Sequence, residues 1–456
     1  MKNALVSVYI PNYNYSKYIK KAIESVLNQT YRNTELIIID DGSTDNSKNI
    51  INQYVNNSKV KCIFQKNKGL NISNNIALKI SKGDYILRLD ADDWLDPNCI
   101  EILYNTIKKD KDIGFVFSDY YFVDAQENII KQVRRHDFKK VKLLDQPAHG
   151  ACSLIKRKLL LEYGGYSEKF TCQDGFDLWL NFIGRKKILN INLPLFYYRQ
   201  HSVSLSSNEK RILYTRSRIF SKYSKGISKK LNVVAIIPIR GEDIDSSSVV
   251  FKKLNKKYII DYTIESALNA KSIKKILITS PDKKIIKYVE KKYKKNNKIY
   301  CLMRKNEMGQ INVPLEKTFK SSLSYLKSKN IKVDALMNLI IEFPFRTSSQ
   351  INSAIDVMKI FKTKQVISIR QENDQFYQHN GNSLLQIQSP NLQLEREELY
   401  RQTGNVNLLS VKIINKNIKR KKIGHIIVDR FSSLKIDDNF NFEYAKILSK
   451  KYINSK

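Results

Sequence analysis

A chain of 456 residues is about three times the size of a common domain and needs more than one hydrophobic core. With 42% hydrophobic and 27% charged residues and only 15 Gly and 9 Pro, the composition is globular and excludes low-complexity and collagen-like chains. The net charge of +36 would suit nucleic acid, but the lysines are dispersed and no aromatic-interleaved basic module is present, so no nucleic-acid partner is expected.

In chain order, Leu5 to Ile10 is a short apolar run that meets Pro11-Asn12 without a small-residue cleavage site, so it reads as a first strand rather than a leader. Ile19, Ala22, Ile23, Val26 and Leu27 follow at helical spacing. Glu35 to Ile39 predicts a second strand ending on Asp40-Asp41-Gly42-Ser43. Val60 to Phe64 predicts a third, followed by a helix over Ile72 to Ile80, and Asp84 to Leu89 predicts a fourth that runs into Asp90-Ala91-Asp92-Asp93. This alternation is that of an α/β domain with a mainly parallel sheet, and open sheets of that kind bind ligands at the carboxyl ends of their strands. The acidic loops should therefore share one crevice.

A Lys/Arg/Ser-rich stretch around residues 207 to 230 breaks the pattern, and Asn232 to Ile237 starts a second alternation. A helix over Ile259 to Leu268, strands at Lys275 to Thr279 and Ala335 to Ile341, and a helix after Pro281 continue it. Both opening strands end on an Ile-Pro pair, Ile10-Pro11 and Ile237-Pro238, a likeness too short to define a repeat. The fold class expected is α/β with two Rossmann-like α/β/α domains, residues 1–226 and 227–456. Five cysteines without a CxxC pair imply a reducing cytoplasm, no segment is long enough to span a bilayer, and the charge is compatible with peripheral association at the inner membrane face.

Alternate residues of an extended segment face the same way, so Asp90 and Asp92 can present two carboxylates to one point. Mg2+ or Mn2+ prefers such oxygen ligands and leaves room for substrate phosphates. The competing reading is a solvated turn, or the start of the helix that Asp96-Pro97 announces.

Four segments in order decide between these readings: Val6 to Asn14, Ser25 to Thr30, Ile39-Asp40-Asp41-Gly42-Ser43-Thr44-Asp45, and Leu89-Asp90-Ala91-Asp92-Asp93. Over roughly residues 4 to 206 the chain resembles glycosyltransferase family 2, metal-dependent inverting enzymes of the GT-A type that use nucleotide diphosphate sugars. The resemblance implies that Pro11 and Tyr13 lie beside the donor base, that Asp41, with Asp40 its neighbour, reads uracil, and that Asp90 and Asp92 bind the donor through the metal. Thr171-Cys172-Gln173-Asp174-Gly175 matches the family's acidic pair with its first member changed to Gln173. Asp174 is then the general base that deprotonates the acceptor hydroxyl, or in the alternative a helix N-cap. His201, in Tyr198-Arg199-Gln200-His201, matches a late metal ligand.

From about residue 231 the chain resembles the cytidylyltransferases that activate sialic acid and related sugars, on Val234 to Gly241, Asp261 to Ala267, Pro344-Phe345-Arg346-Thr347 and Ser433 to Asp437. Where that family carries a basic phosphate loop, this chain has Glu242, Asp243, Ile244 and Asp245, with Ser248 and Val249 at the later basic positions. Ile340 replaces an expected Gln, and Lys435 the first Asp of a metal pair. The expectation is a degenerate domain with a structural or docking role. The whole chain is then expected to move a sugar, from a UDP donor in the first instance, to a cell-surface glycan or glycoprotein. A bifunctional enzyme that also makes CMP-sugars and a non-catalytic scaffold are the alternatives.

Overall fold

The run Val6–Asn12 carries no charged side chain, and in the computed structural model all seven of its residues are buried. Such a run suits the middle of a parallel sheet covered on both faces. The structure describes residues 3–133, 150–200, 208–310, 312–372, 374, 376–387, 399–416 and 423–453. It divides into two compact units, Met1–Arg216 with Gln375–Glu397, and Ser217–Asp374 with Glu398–Lys456. Among the described residues no helix is long and apolar enough to cross a membrane.

The first unit contains β1 (Val6–Asn12), α1 (Ile19–Leu27), β2 (Thr34–Asp40), α2 (Ser47–Asn52), β3 (Val60–Phe64), α3 (Leu70–Ile80), β4 (Tyr85–Arg88), β5 (Trp94–Leu95), α4 (Cys99–Ile107), β6 (Ile113–Val123), β7 (Ile129–Val133), β8 (Ser153–Lys156), α5 (Arg157–Glu162), α6 (Asp174–Phe182) and β9 (Lys187–Arg199). Its sheet runs β3-β2-β1-β4-β8-β6-β9-β5, with β7 paired to β6. The first four strands are parallel, as the alternating pattern predicts. Ile19, Ala22, Ile23 and Val26 are the buried face of α1, and they join β1, β2, β4 and α4 in one apolar cluster.

The linker-like stretch is instead mostly helix: α7 spans Glu209–Lys225. Its buried residues Thr215, Ile219, Phe220 and Ser224 recur at helical spacing, and the lysines and arginines between them masked that stripe.

Beyond it lie β10 (Val233–Pro238), the ribbon β11 (Lys253–Leu254) and β12 (Lys257–Tyr258), α8 (Ile259–Leu268), β13 (Ile273–Ser280), α9 (Lys283–Lys292), β14 (Ile299–Met303), α10 (Leu315–Ser328), β15 (Ala335–Asn338), α11 (Ser348–Phe361), β16 (Gln365–Glu372), the hairpin β17 (Tyr377–His379) and β18 (Leu384–Gln386), β19 (Leu399–Ser410), α12 (Val411–Lys416), β20 (Ile423–Ile427) and α13 (Asn439–Ile453). The second sheet runs β14-β13-β10-β15-β19-β16-β20. Strand by strand this repeats β3-β2-β1-β4-β8-β6-β9. In each sheet a strand late in the chain, β8 or β19, enters antiparallel beside the fourth parallel strand. The two Ile-Pro pairs close the equivalent strands β1 and β10, so a repeat that sequence alone does not define is present in the topology.

Candidate active site

Strand register sets the frame of the first crevice. Asn12 lies opposite Asp40 and Tyr9 opposite Arg88, so the ends of β2, β1 and β4 emerge side by side. The two acidic loops are thus about 10 Å apart, two strand spacings. The turn after Asp41 requires glycine. Gly42 has φ +78°, and a Cβ there would stand 2.6 Å from the Asn67 backbone nitrogen.

Asp40 and Asp41 face different tasks. Asp40 is buried and accepts from Asn12 Nδ2 at 2.8 Å and Ser43 Oγ at 2.6 Å, bracing the loop. Asp41, also buried, accepts from Gln65 Nε2 at 2.7 Å and the backbone nitrogens of Lys68 at 2.9 Å and Gly69 at 2.8 Å. A carboxylate has about four acceptor positions, so roughly one remains. Pro11 is buried in β1, whereas Tyr13 is 46% exposed beyond the strand end. Asn14, in the left-handed region, accepts from the Thr44 nitrogen at 2.7 Å and fastens the two loops together.

The second acidic loop meets Asp174 through Arg88, which the sequence reading did not single out. Arg88 Nε lies 2.9 Å from Asp90 Oδ1, its Nη2 donates to Asp90 Oδ2 at 3.4 Å, and its Nη1 donates to Asp174 Oδ2. Burial alone would lower the pKa of this guanidinium, but Asp174 and Asp90 raise it well above the ordinary value. The buried hydroxyls of Tyr9 and Tyr166, 2.8 Å apart, add to the same electrostatic environment. Asp174 is the first residue of α6. The N-cap position belongs to Gln173, which has φ 61° and makes no side-chain cap bond. The capping alternative for Asp174 is therefore not what the fold uses, and its carboxylate turns to Arg88 instead.

Asp90 and Asp92 are near enough to repel. Burial pushes the Asp90 carboxyl up, Arg88 pulls it down, and Asp92 and Asp174 push it up again, to about 6. Burial, Asp92 and Asp90 likewise raise Asp93 well above its ordinary value, against a bond from the Arg199 backbone nitrogen at 2.9 Å. Arg199 also donates from Nε to the Asp92 carbonyl at 3.0 Å, and its guanidinium lies over Tyr18 and Trp94. The end of β9 is thereby fixed to the acidic loop. His201 lies outside the described residues. Among the described residues no group of three or more His, Cys, Asp or Glu side chains is arranged to hold a metal ion. The Asp90 and Asp92 pair supplies two hard oxygen ligands whose mutual repulsion a divalent cation would relieve, so these residues fit one.

The equivalent crevice of the second unit is basic, and its arginines bond to groups of their own unit, with Arg304 Nε left without a hydrogen bond. Arg240 Nη1 is 3.9 Å from Asp245 Oδ2, and Ser248 Oγ donates to the Arg240 carbonyl at 3.0 Å, so the loop that carries Glu242 and Asp243 closes on itself. Arg304 is buried and donates to the Ile239 carbonyl at 2.9 Å and Thr318 Oγ1 at 3.2 Å; burial and Arg240 lower its pKa to about 10. Arg346 donates to the carbonyls of Asn405 and Ile340 and to Thr263 Oγ1, and burial lowers it to about 9 in spite of Glu342. Lys435 stands 2.9 Å from Asp437.

Comparison with known proteins agrees with the first unit's geometry. Residues 7–164 match the model of glycosyl transferase family 2. An uncharacterized glycosyltransferase of Rickettsia typhi is 31% identical over 318 residues, 66% of this chain and 97% of that protein. The Escherichia coli protein named UDP-Glc:alpha-D-GlcNAc-diphosphoundecaprenol beta-1,3-glucosyltransferase is 32% identical over 244 residues, 51% of this chain and 91% of that one. Chondroitin synthase of Escherichia coli is 42% identical over 127 residues, 28% of this chain, but the match spans only 18% of that enzyme.

Proposed function

The chain belongs to glycosyl transferase family 2, and from that premise we propose that its first unit moves a sugar, with inversion, from a UDP donor to a hydroxyl of a cell-surface glycan or glycoprotein. The observation that carries this reading is the ion-paired bridge of Asp90, Arg88 and Asp174, which brings a donor-side carboxylate and a candidate base to one guanidinium. Asp174 takes the proton of the acceptor hydroxyl as that oxygen attacks the anomeric carbon. The bond from that carbon to the diphosphate oxygen breaks with its electron pair going to the diphosphate, and one in-line displacement inverts the centre. Asp90 and Asp92 would hold Mg2+ or Mn2+, which when bound neutralises charge on the leaving group. Pro11 and Tyr13 flank the base, and the last acceptor position of Asp41 suits the imide N–H of uracil. The UDP-glucose donor in the name of the Escherichia coli relative supports the choice of base.

We assign the second unit to a cytidylyltransferase-like fold without CTP chemistry, since each arginine of its crevice already has an internal acceptor or counter-ion. A cytoplasmic site of action, with peripheral attachment to the inner membrane face, fits the basic charge.

The test is a panel of UDP-, GDP- and CMP-sugars incubated with Mn2+, scored by nucleotide release. Release from a UDP-sugar that stops in chelator is expected. Asp92→Ala should abolish both turnover and metal-dependent UDP binding, because the remaining carboxylate cannot hold the cation against the diphosphate. Full turnover by that variant in chelator would refute the site.

A further inference from the structure

A buried guanidinium between a buried and a half-buried carboxylate is costly to desolvate unless both are bonded to it, and Arg88 donates to both. Arg88 donates from Nη1 to Asp174 and from Nη2 to Asp90 at 3.4 Å, while its Nε lies 2.9 Å from Asp90 Oδ1 without a hydrogen bond, and only 4% of its side chain is exposed. Each carboxylate keeps an outer side, Asp90 with 27% and Asp174 with 10% of its side chain exposed. Oδ2 of Asp174 is the oxygen that Arg88 takes, so Oδ1 is the one left to receive a proton. The backbone closes over the same contact. A Cβ at Gly150 would stand 2.7 Å from Arg88 Nη2 and 2.8 Å from Asp174 Oδ2. Any side chain there must push on the bridge itself.

We propose that Arg88 is a positioning residue for the transfer reaction: it ties the base Asp174 to the donor-side carboxylate Asp90 in one rigid frame, and Gly150 is the backbone wall that keeps that frame closed. The inference rests on the assignment of Asp174 as base. A lysine cannot replace Arg88, because one ammonium is a point charge without the fork that reaches two carboxylates in fixed directions. A base misplaced by about 1 Å loses on the order of a hundredfold in rate while the donor, held on the other side of the frame, is still bound.

The experiment uses the full chain and the UDP-sugar it turns over fastest. Arg88→Lys should lower kcat about a hundredfold while leaving the donor KM and calorimetric UDP–Mn2+ affinity within about threefold. Gly150→Ala, which removes no polar group, should show the same split at about tenfold, and it carries the test if Arg88→Lys fails to fold. Unchanged kcat in the folded variants, or loss of UDP binding in step with kcat, would overturn the inference. Asp174→Asn separates the two levels. If Asp174→Asn is fully active, the base assignment fails. If it is inactive while Arg88→Lys and Gly150→Ala are not, the role of Arg88 alone fails.

Discussion

Two crevices open at the ends of strands arranged in the same order, and their charges are handled in opposite ways. At the end of β4 the acidic side chains crowd together, so that burial and Asp92 raise the proton affinity of Asp90 and of Asp93, with Arg88 the buried cation that pairs directly with Asp90. At the end of β10 and around it, Arg240, Arg304, Arg346 and Lys435 each meet a carbonyl, hydroxyl or carboxylate of the chain itself. The strand order supplies a crevice in both units, but in the first the crowded groups are carboxylates that a cation would complete, and in the second Arg304 and Arg346 are held by carbonyls and hydroxyls of the chain itself.

Asp174→Asn offers the largest way to break this contrast. The amide preserves size and the bond from Arg88 but cannot take the acceptor's proton, so kcat should fall by about a hundredfold or more with UDP binding retained. Undiminished turnover would reduce Asp174 to a structural partner of Arg88 and make the two crevices alike.

A smaller effect follows from Asp90, whose carboxyl burial pushes up to about 6 in spite of Arg88. Below that pH a cation must displace a proton, so Mn2+-dependent UDP affinity should fall about tenfold per pH unit below about 6 and level off above it. The sign for stability is opposite. Between about pH 4 and 6 the folded chain holds a proton that the unfolded chain has released, so this group's contribution to stability declines as pH rises through that window. Calorimetric titration between pH 5 and pH 8 reads the first effect, and a flat profile would remove Asp90 from the metal site.

The unequal legibility of the two crevices has a physical cause. Aspartates at strand ends stand out because they interrupt an apolar pattern, and Asp40, Asp41, Asp90 and Asp92 were visible in that way, whereas Asp174, at the start of α6, was reached only through the family resemblance of the segment around it. Arg88 was not, since a single arginine near the end of a strand resembles a residue turned to solvent, and its burial depends on Asp174, 86 residues away. Gly150 gave no local signal either, because its constraint is the approach of two side chains from elsewhere. The helix α7 was hidden by composition, its buried stripe being diluted by lysine and arginine. The parallel character of the sheet was legible from the alternation of strands and helices, and the places of β8 and β19 were not, since their late antiparallel entry leaves no mark on local periodicity.

Arg346 sharpens the comparison from the other side. It is as buried as Arg88, but its partners are two carbonyls and a hydroxyl rather than site carboxylates. Arg346→Met should leave those carbonyls unsatisfied and lower stability by about 3 kcal/mol, read by urea denaturation. UDP release should stay within about twofold of the wild type at a temperature where the variant is folded. A marked loss of transfer with intact stability would mean that the second crevice takes part in the reaction.

The smallest expected effect is none, and it bears most directly on the second unit. Asp245 faces Arg240 at 3.9 Å, Lys435 pairs with Asp437, and Glu342 is half-buried with its proton affinity raised by desolvation. A triphosphate entering this crevice would have to break the Arg240 contact and face Glu242 and Asp243 without a cation site to offset them. In full-length Asp92→Ala, where the first unit's metal site is removed, calorimetric titration with CTP and Mg2+ should therefore give a Kd no tighter than roughly millimolar, a free energy of only about −4 kcal/mol. Micromolar binding there would show that the Asp245 loop opens and that Arg240 and Arg304 are available after all. The two crevices would then differ in ligand rather than in competence, and release of pyrophosphate from CTP with a nine-carbon sugar acid would be the next measurement.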